Sequence, residues 1–203
     1  MIIPVGIDCG IADALRKLNL RDIALPFDWN VTYSGVADII KNDFESFVPV
    51  RRFGIQKDRT ESCVFNKYDV LFIHEDWQNK KSEEQEKYYK RIARLKEILE
   101  STHDTIYFIR KGHMFHTHRE YYFKNDIESV VELAQVLKEK FPKLNYKIFL
   151  ILCCPSCYDI NQDLKLHDSN IVIINNSKNV NVQIYMVVSY FINVFCTINI
   201  HVP

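Results

Sequence analysis

The chain places one cysteine where a thiol could react. Cys9 follows the apolar run 1–7 and opens a helical pattern at Ile11, Ala14, Leu15 and Leu18. A side chain on such a strand-to-helix elbow faces the positive end of the helix dipole, which favours thiolate, the nucleophilic form of cysteine. The same position also suits an ordinary small buried residue. Two further clusters offer ligand chemistry. His113, His116 and His118 form H-x-x-H-x-H, and Cys153, Cys154 and Cys157 add thiols, a set of donors suited to zinc. The spacing is no standard finger, and three histidines beside Met114 and Phe115 read first as a solvated loop, so neither a metal nor another cofactor is expected. Cys154-Pro155-Ser156-Cys157 has redox C-x-x-C spacing, but a thioredoxin-like unit would stand nearer the N-terminus. Arg51-Arg52, Arg91 and Arg110-Lys111 are cations that would favour a phosphorylated, sulfated or carboxylated ligand if they flank Cys9.

Helical and extended patterns alternate along the chain that must position these residues. Spacing predicts a helix over 33–41 and extended runs over 64–65 and 69–73. Ser82 opens a long charged helix, with Gln85 completing a capping box and Tyr88, Ile92, Leu95 and Leu99 forming the buried stripe. Glu86 and Lys90, at i and i+4, fit its solvated face. A strand over 105–109, a helix over 127–140 stopped by Pro142, and strands over 146–152 and 171–174 complete the series. This order predicts a three-layer α/β/α domain with a mainly parallel sheet. In such sheets ligands bind beyond the carboxyl ends of the strands. Cys9, His74 with Glu75 and Asp76, Arg110, and Cys153 with Cys154 each follow a predicted strand and so would share one rim. Between them, Pro26-Phe27-Asp28-Trp29 reads as an ordered loop folded on the core, with Asp28 near that rim and Trp29 towards the interior.

Composition narrows the function classes. With 203 residues, 47% hydrophobic and 13% aromatic, the chain can bury one substantial core, and a single domain over 1–203 is expected. Its 26 basic and 26 acidic residues cancel, which argues against nucleic acid or an anionic membrane as partner. The first residues lack a signal-peptide pattern, so the cytoplasm is the expected compartment, and six cysteines there read as free or functional thiols. Five glycines and no Gly-rich loop leave a nucleotide- or sugar-phosphate-handling transferase without its usual fingerprint. The tail 179–203 carries no Asp, Glu, Lys or Arg, and its apolar stretch 184–200 is expected to be a buried element rather than a membrane anchor.

The run Gly6-Ile7-Asp8-Cys9-Gly10-Ile11-Ala12 with Leu15, then Leu20-Arg21, Pro26-Phe27-Asp28-Trp29, His74 and Arg91, resembles a family of predicted papain-like cysteine peptidases, widespread in bacteria and large DNA viruses. The resemblance extends to about Arg110, and more weakly to Leu152. It implies a cysteine-dependent hydrolase acting on a peptide or small molecule. His74 would take the Cys9 proton, Asp28 or Asp76 would orient the imidazole, and the Gly10 and Ile11 amides would stabilise the oxyanion. Trp29, Arg91 and Arg110 would contact substrate. Two departures stand out. The family pattern of His-Asp-aromatic is here His74-Glu75-Asp76-Trp77, and the local papain signature is absent around Cys9. The rival classes are a non-catalytic α/β binding protein and the anionic-ligand transferase.

Overall fold

The computed structural model describes residues 1–21, 23–32, 35–48, 53–55, 62–77, 79–112, 119–152 and 168–175. The histidine cluster 113–118, Cys153, Cys154 and Cys157, Arg51-Arg52 and the tail 179–203 lie outside them. In chain order the elements are β1 (Ile2–Pro4), α1 (Gly10–Lys17), β2 (Asn30–Val31), α2 (Val36–Lys41), β3 (Phe53–Ile55), β4 (Ser62–Phe65), β5 (Leu71–Phe72), α3 (Lys81–Ser101), β6 (Ile106–Lys111), α4 (Arg119–Lys140), β7 (Tyr146–Leu152) and β8 (Ile171–Asn175).

The main sheet has the order β1-β6-β7-β8 and is parallel throughout, with Ile3 opposite Phe108, Phe108 opposite Ile148 and Ile148 opposite Ile171. Its strands are nearly continuous apolar runs because both faces are covered. Side chains alternate between those faces. Ile106, Phe108, Ile148, Leu150 and Leu152 enter a large core shared with α2, α3 and α4. Ile109, Phe149 and Ile151 point the other way, against Ile11, Ala14 and Leu15 of α1. The result is the expected three-layer α/β arrangement. Burying one such side chain contributes about 1.5–3 kcal/mol, and Phe108 and Phe149 are both at most 2% exposed.

The runs over 64–65 and 69–73 form strands but not in this sheet. They belong to a second, antiparallel sheet of order β2-β5-β4-β3, with Val64 opposite Phe72 and Val31 opposite Leu71. A turn over 66–69 explains the hairpin: Asn66 Oδ1 accepts from the Tyr68 and Val70 amides, and Asp69 takes a positive φ of 55°. A connection this short can only join antiparallel strands, whereas a parallel pair needs a crossover. His74 therefore follows a strand of the antiparallel sheet, and the single-rim argument does not apply to it.

Two helix starts also differ from expectation. The first cap residue of α3 is Lys80, without a side-chain cap, so the Ser82–Gln85 box is not formed. The preceding turn is tied instead by the Asp76 carbonyl accepting from the Lys80 amide (2.8 Å). The buried stripe is as expected, with Tyr88, Ile92, Leu95 and Leu99 in the core. α2 begins at Val36 because Gly35 adopts φ 86°, a left-handed conformation outside the helix. Among the described residues no helix is long and apolar enough to cross a membrane.

Candidate active site

Cys9 occupies the N-cap position of α1, with φ −71° and ψ −2°, and its carbonyl accepts the Asp13 amide at 2.9 Å. Its thiol is free and half-buried. The helix end it sits on is not bare. Asp8 Oδ1 accepts the Gly10 N–H at 2.8 Å, and Asp8 Oδ2 pairs with Lys111 Nζ at 2.6 Å. Two consequences follow. Burial, with the Asp8 carboxylate next, pushes the Cys9 thiol above its ordinary value, and Lys111 offsets only part of this. The Gly10 amide, expected in the oxyanion hole, is occupied by the chain's own carboxylate. The expectation of a thiolate favoured by the helix dipole is thus opposed locally by burial and a like charge.

The loop before this elbow is held from the main sheet. Gly6 takes φ 99°, and a Cβ there would stand 2.7 Å from Arg110 Nη1 and 2.8 Å from the Thr32 carbonyl oxygen. Only glycine leaves that room. Arg110, on β6, is 1% exposed: Nη1 donates to the Val5 carbonyl (3.1 Å) and the Thr32 carbonyl (3.4 Å), and Nη2 to Asp126 Oδ1 of α4 (3.4 Å). The structure thus puts this guanidinium inside the core, joining β1, the end of β2 and α4. Lys111, one residue on, faces the opposite side and reaches Asp8.

The Pro26-Phe27-Asp28-Trp29 loop is ordered as expected, for reasons its residues supply. Phe27 is fully buried and stands edge-on to Phe47 at 5.7 Å. Asn30 Nδ2 donates to the Pro26 carbonyl (2.6 Å), and Thr32 Oγ1 to Asn30 Oδ1 (2.8 Å). Asp28 is 1% exposed; its Oδ2 accepts from the Leu25 amide (2.8 Å) and from Arg21 through Nε (2.9 Å) and Nη2. Burial raises the Asp28 carboxyl, while the Leu25 amide and the Arg21 and Arg91 charges hold it back.

His74 is exposed, and its ring meets the half-buried Trp29 edge-on at 6.0 Å. The Arg21 and Arg16 guanidiniums lie 5.2 and 5.8 Å from the centroid of the same indole, so Trp29 connects His74 to α1, of which Arg16 is part. Glu75 turns inward: its side chain is 2% exposed, Oε1 accepts the Tyr88 hydroxyl at 2.8 Å and lies 3.7 Å from Lys87 Nζ. Burial and that carboxylate push the Tyr88 phenol well above its usual range, so it remains a donor. Asp76 is exposed and its carboxylate accepts from Asn79 N and Nδ2 at 3.1 and 3.0 Å. Arg91 is buried over the Tyr88 ring, 5.0 Å from its centroid. The structure therefore groups His74, Trp29, Arg21 and Asp28 on one side, and Cys9, Asp8 and Lys111 on the other, with α1 common to both. Among the described residues no hydrogen bond joins Cys9 to His74, and neither Asp28 nor Asp76 hydrogen-bonds to His74. No group of three or more metal-binding side chains occurs among them.

Three contributors were missed in the sequence. Asp8 adjoins Cys9, so its electrostatic effect was readable from position alone. Asp126 and the inward turn of Glu75 were not, because each depends on how a distant helix packs.

The fold is a parallel-sheet α/β fold that carries a free thiol at its first strand-to-helix elbow. Residues 1–155 match the family described as "Putative papain-like cysteine peptidase", and the chain belongs to that family. A stretch of 75 residues is 37% identical to an uncharacterised protein of Acanthamoeba polyphaga mimivirus, covering 35% of this chain and 33% of that relative. The chain thus matches about a third of the relative's length. No solved structure matches the chain.

Proposed function

We propose that this protein is a cysteine-dependent hydrolase or acyltransferase with Cys9 as nucleophile and His74 as general base. The observation that carries the reading is a free, half-buried thiol at the N-terminus of α1, under the charge influence of the Asp8–Lys111 ion pair, in a chain of this family. In this reading a base is required, because burial and Asp8 keep the resting thiol protonated. His74 removes the proton, sulfur attacks the substrate carbonyl carbon, and a thioester forms as the protonated leaving group departs. Water, or an acyl acceptor, then releases the acyl group and returns the proton. Trp29, whose ring meets the His74 imidazole edge-on, would stand beside the bound substrate.

The test is labelling with a thiol-directed acyl electrophile. Wild-type protein should label at Cys9 faster than at Cys63 or Cys196, Cys9→Ser should abolish that label, and His74→Ala should slow it by about 100-fold or more. Cys9 labelling no faster than the other thiols, and indifferent to His74→Ala, would leave the family fold as a binding protein without catalysis. That second reading is favoured by one feature, the Asp8 carboxylate seated on the Gly10 amide where an oxyanion would be held.

A further inference from the structure

Asp8, the residue before the thiol, gathers donors from two separate elements. Its Oδ1 accepts the Gly10 N–H at the start of α1 (2.8 Å), and its Oδ2 accepts from Lys111 Nζ at the end of β6 (2.6 Å). The two partners of the ion pair are unequally buried: the Lys111 side chain is 6% exposed and that of Asp8 33%. Gly10 keeps the space between the donors open. A Cβ there would stand 2.9 Å from Asp8 Oδ1 and 3.6 Å from Lys111 Nζ, so the ammonium stands close against the Gly10 backbone. Its charge also reaches the Cys9 sulfur, where it favours thiolate. A carboxylate that only capped α1 would need no such partner, because its solvent-facing oxygen could take water. Desolvating an ammonium to meet a partly exposed carboxylate is a poor source of stability.

We propose that Lys111 is a further catalytic residue: with the Gly10 N–H it receives the oxyanion formed when the Cys9 sulfur attacks a carbonyl carbon, and Asp8 fills those donors only at rest. The inference rests on the reading of Cys9 as nucleophile and His74 as base. As the S–C bond forms, the carbonyl π pair passes to oxygen and the thiol proton stays on His74. The alkoxide replaces a carboxylate oxygen of Asp8, anion for anion, and the partly exposed Asp8 side chain turns to water. Collapse of the alkoxide restores the C=O bond and breaks the bond to the leaving group, which departs with the His74 proton. Donors already fixed where negative charge develops need no rearrangement during the reaction, and a buried ammonium acts there without competition from bulk water.

The test compares two reagents on the same thiol of the full chain, with Cys9→Ser as the blank. Acylation by p-nitrophenyl acetate passes through an oxyanion; alkylation by iodoacetamide displaces iodide directly and does not. Lys111→Met should slow acylation of Cys9 by about 100-fold and lower the ratio of acylation to alkylation at least tenfold, since alkylation feels only the small change in the thiol. Asp8→Ala, which releases both donors, should raise acylation by a larger factor than alkylation. A ratio that falls by less in Lys111→Met, or rates that rise by one common factor in Asp8→Ala, would overturn the role of Lys111 while leaving Cys9 and His74 as nucleophile and base. Wild-type Cys9 inert to the ester, with alkylation indifferent to His74→Ala, would instead remove the nucleophile and this inference with it. Should Lys111→Met fail to fold, Asp8→Ala decides alone.

Discussion

Arg110 and Lys111 are consecutive on β6, yet they do different work. The strand pleat sends Arg110 to the face covered by α4, where its side chain is 2% exposed and its partner Asp126 is fully buried. Lys111 goes to the α1 face, where it meets Asp8, a carboxylate that is 33% exposed and directly precedes the thiol. The first cation fixes backbone; the second adjusts charge beside the Cys9 thiol. Sequence adjacency thus says little about shared role on a strand. The sharpest way to break this contrast is to remove the buried member. Arg110→Met should cost about 3–5 kcal/mol, since it takes the cation from a buried carboxylate and the donors from the Val5 and Thr32 carbonyls. Gly6→Ala strikes the same bracket through its φ of 99° and should cost about 1–3 kcal/mol. Urea denaturation measures both. Near-native stability in Arg110→Met would mean that the bracket is dispensable and that Arg110 is free for another task.

On the other face the expected effect is on reactivity rather than stability. Asp8→Asn keeps an oxygen for the Gly10 amide but removes the negative charge beside Cys9. Because that charge disfavours thiolate, the variant's alkylation profile with iodoacetamide should move to lower pH, with a rate at pH 7 raised severalfold. Unfolding should shift far less than in Arg110→Met, since the Asp8–Lys111 pair is partly solvated. An unchanged profile would show that burial alone sets the thiol.

What the sequence made legible follows the range of the interactions involved. The apolar runs of β6 and β7 announce a doubly covered parallel sheet, and the stripe from Tyr88 to Leu99 announces the buried side of α3, because both patterns are local and repeat. The loop from Pro26 to Trp29 was readable as ordered, since Pro26, Phe27 and Asn30 carry their own ties. The membership of β5 in a separate antiparallel sheet was not, although the turn at Asn66 to Asp69 contained the signal. A strand of two residues has too little periodicity to declare its partner. Candidate site residues were legible as residue types and less so as assignments. Asp28 and Arg110 are polar in sequence, but their burial comes from packing against Arg21, Thr32 and Asp126, contacts set by the whole chain. The carboxylate of Asp76, two residues after His74, accepts from Asn79 in the turn into α3, a contact that depends on how that turn folds.

Removing Lys111 gives the smallest effect and the closest test of the contrast. Its charge lowers the Cys9 thiol, but it ranks behind burial, Asp8 and Asp13 among the influences on that group. Lys111→Met should therefore slow iodoacetamide alkylation by roughly twofold or less at pH 7, opposite in sign to Asp8→Asn. The same group predicts a stability change with pH. The folded state holds the thiol proton more tightly than the unfolded chain does. The corresponding stability is therefore fully present below the unfolded value of about 8.5 and is lost as pH rises through the folded one. Lys111→Met should deepen this alkaline loss slightly, Cys9→Ala should abolish it, and Gly6→Ala should lower the whole curve without changing its slope there. If Lys111→Met instead destabilised the fold at every pH to the extent of Arg110→Met, both cations of β6 would be structural, and the Asp8–Lys111 pair would be a strut under the thiol rather than a control on its proton.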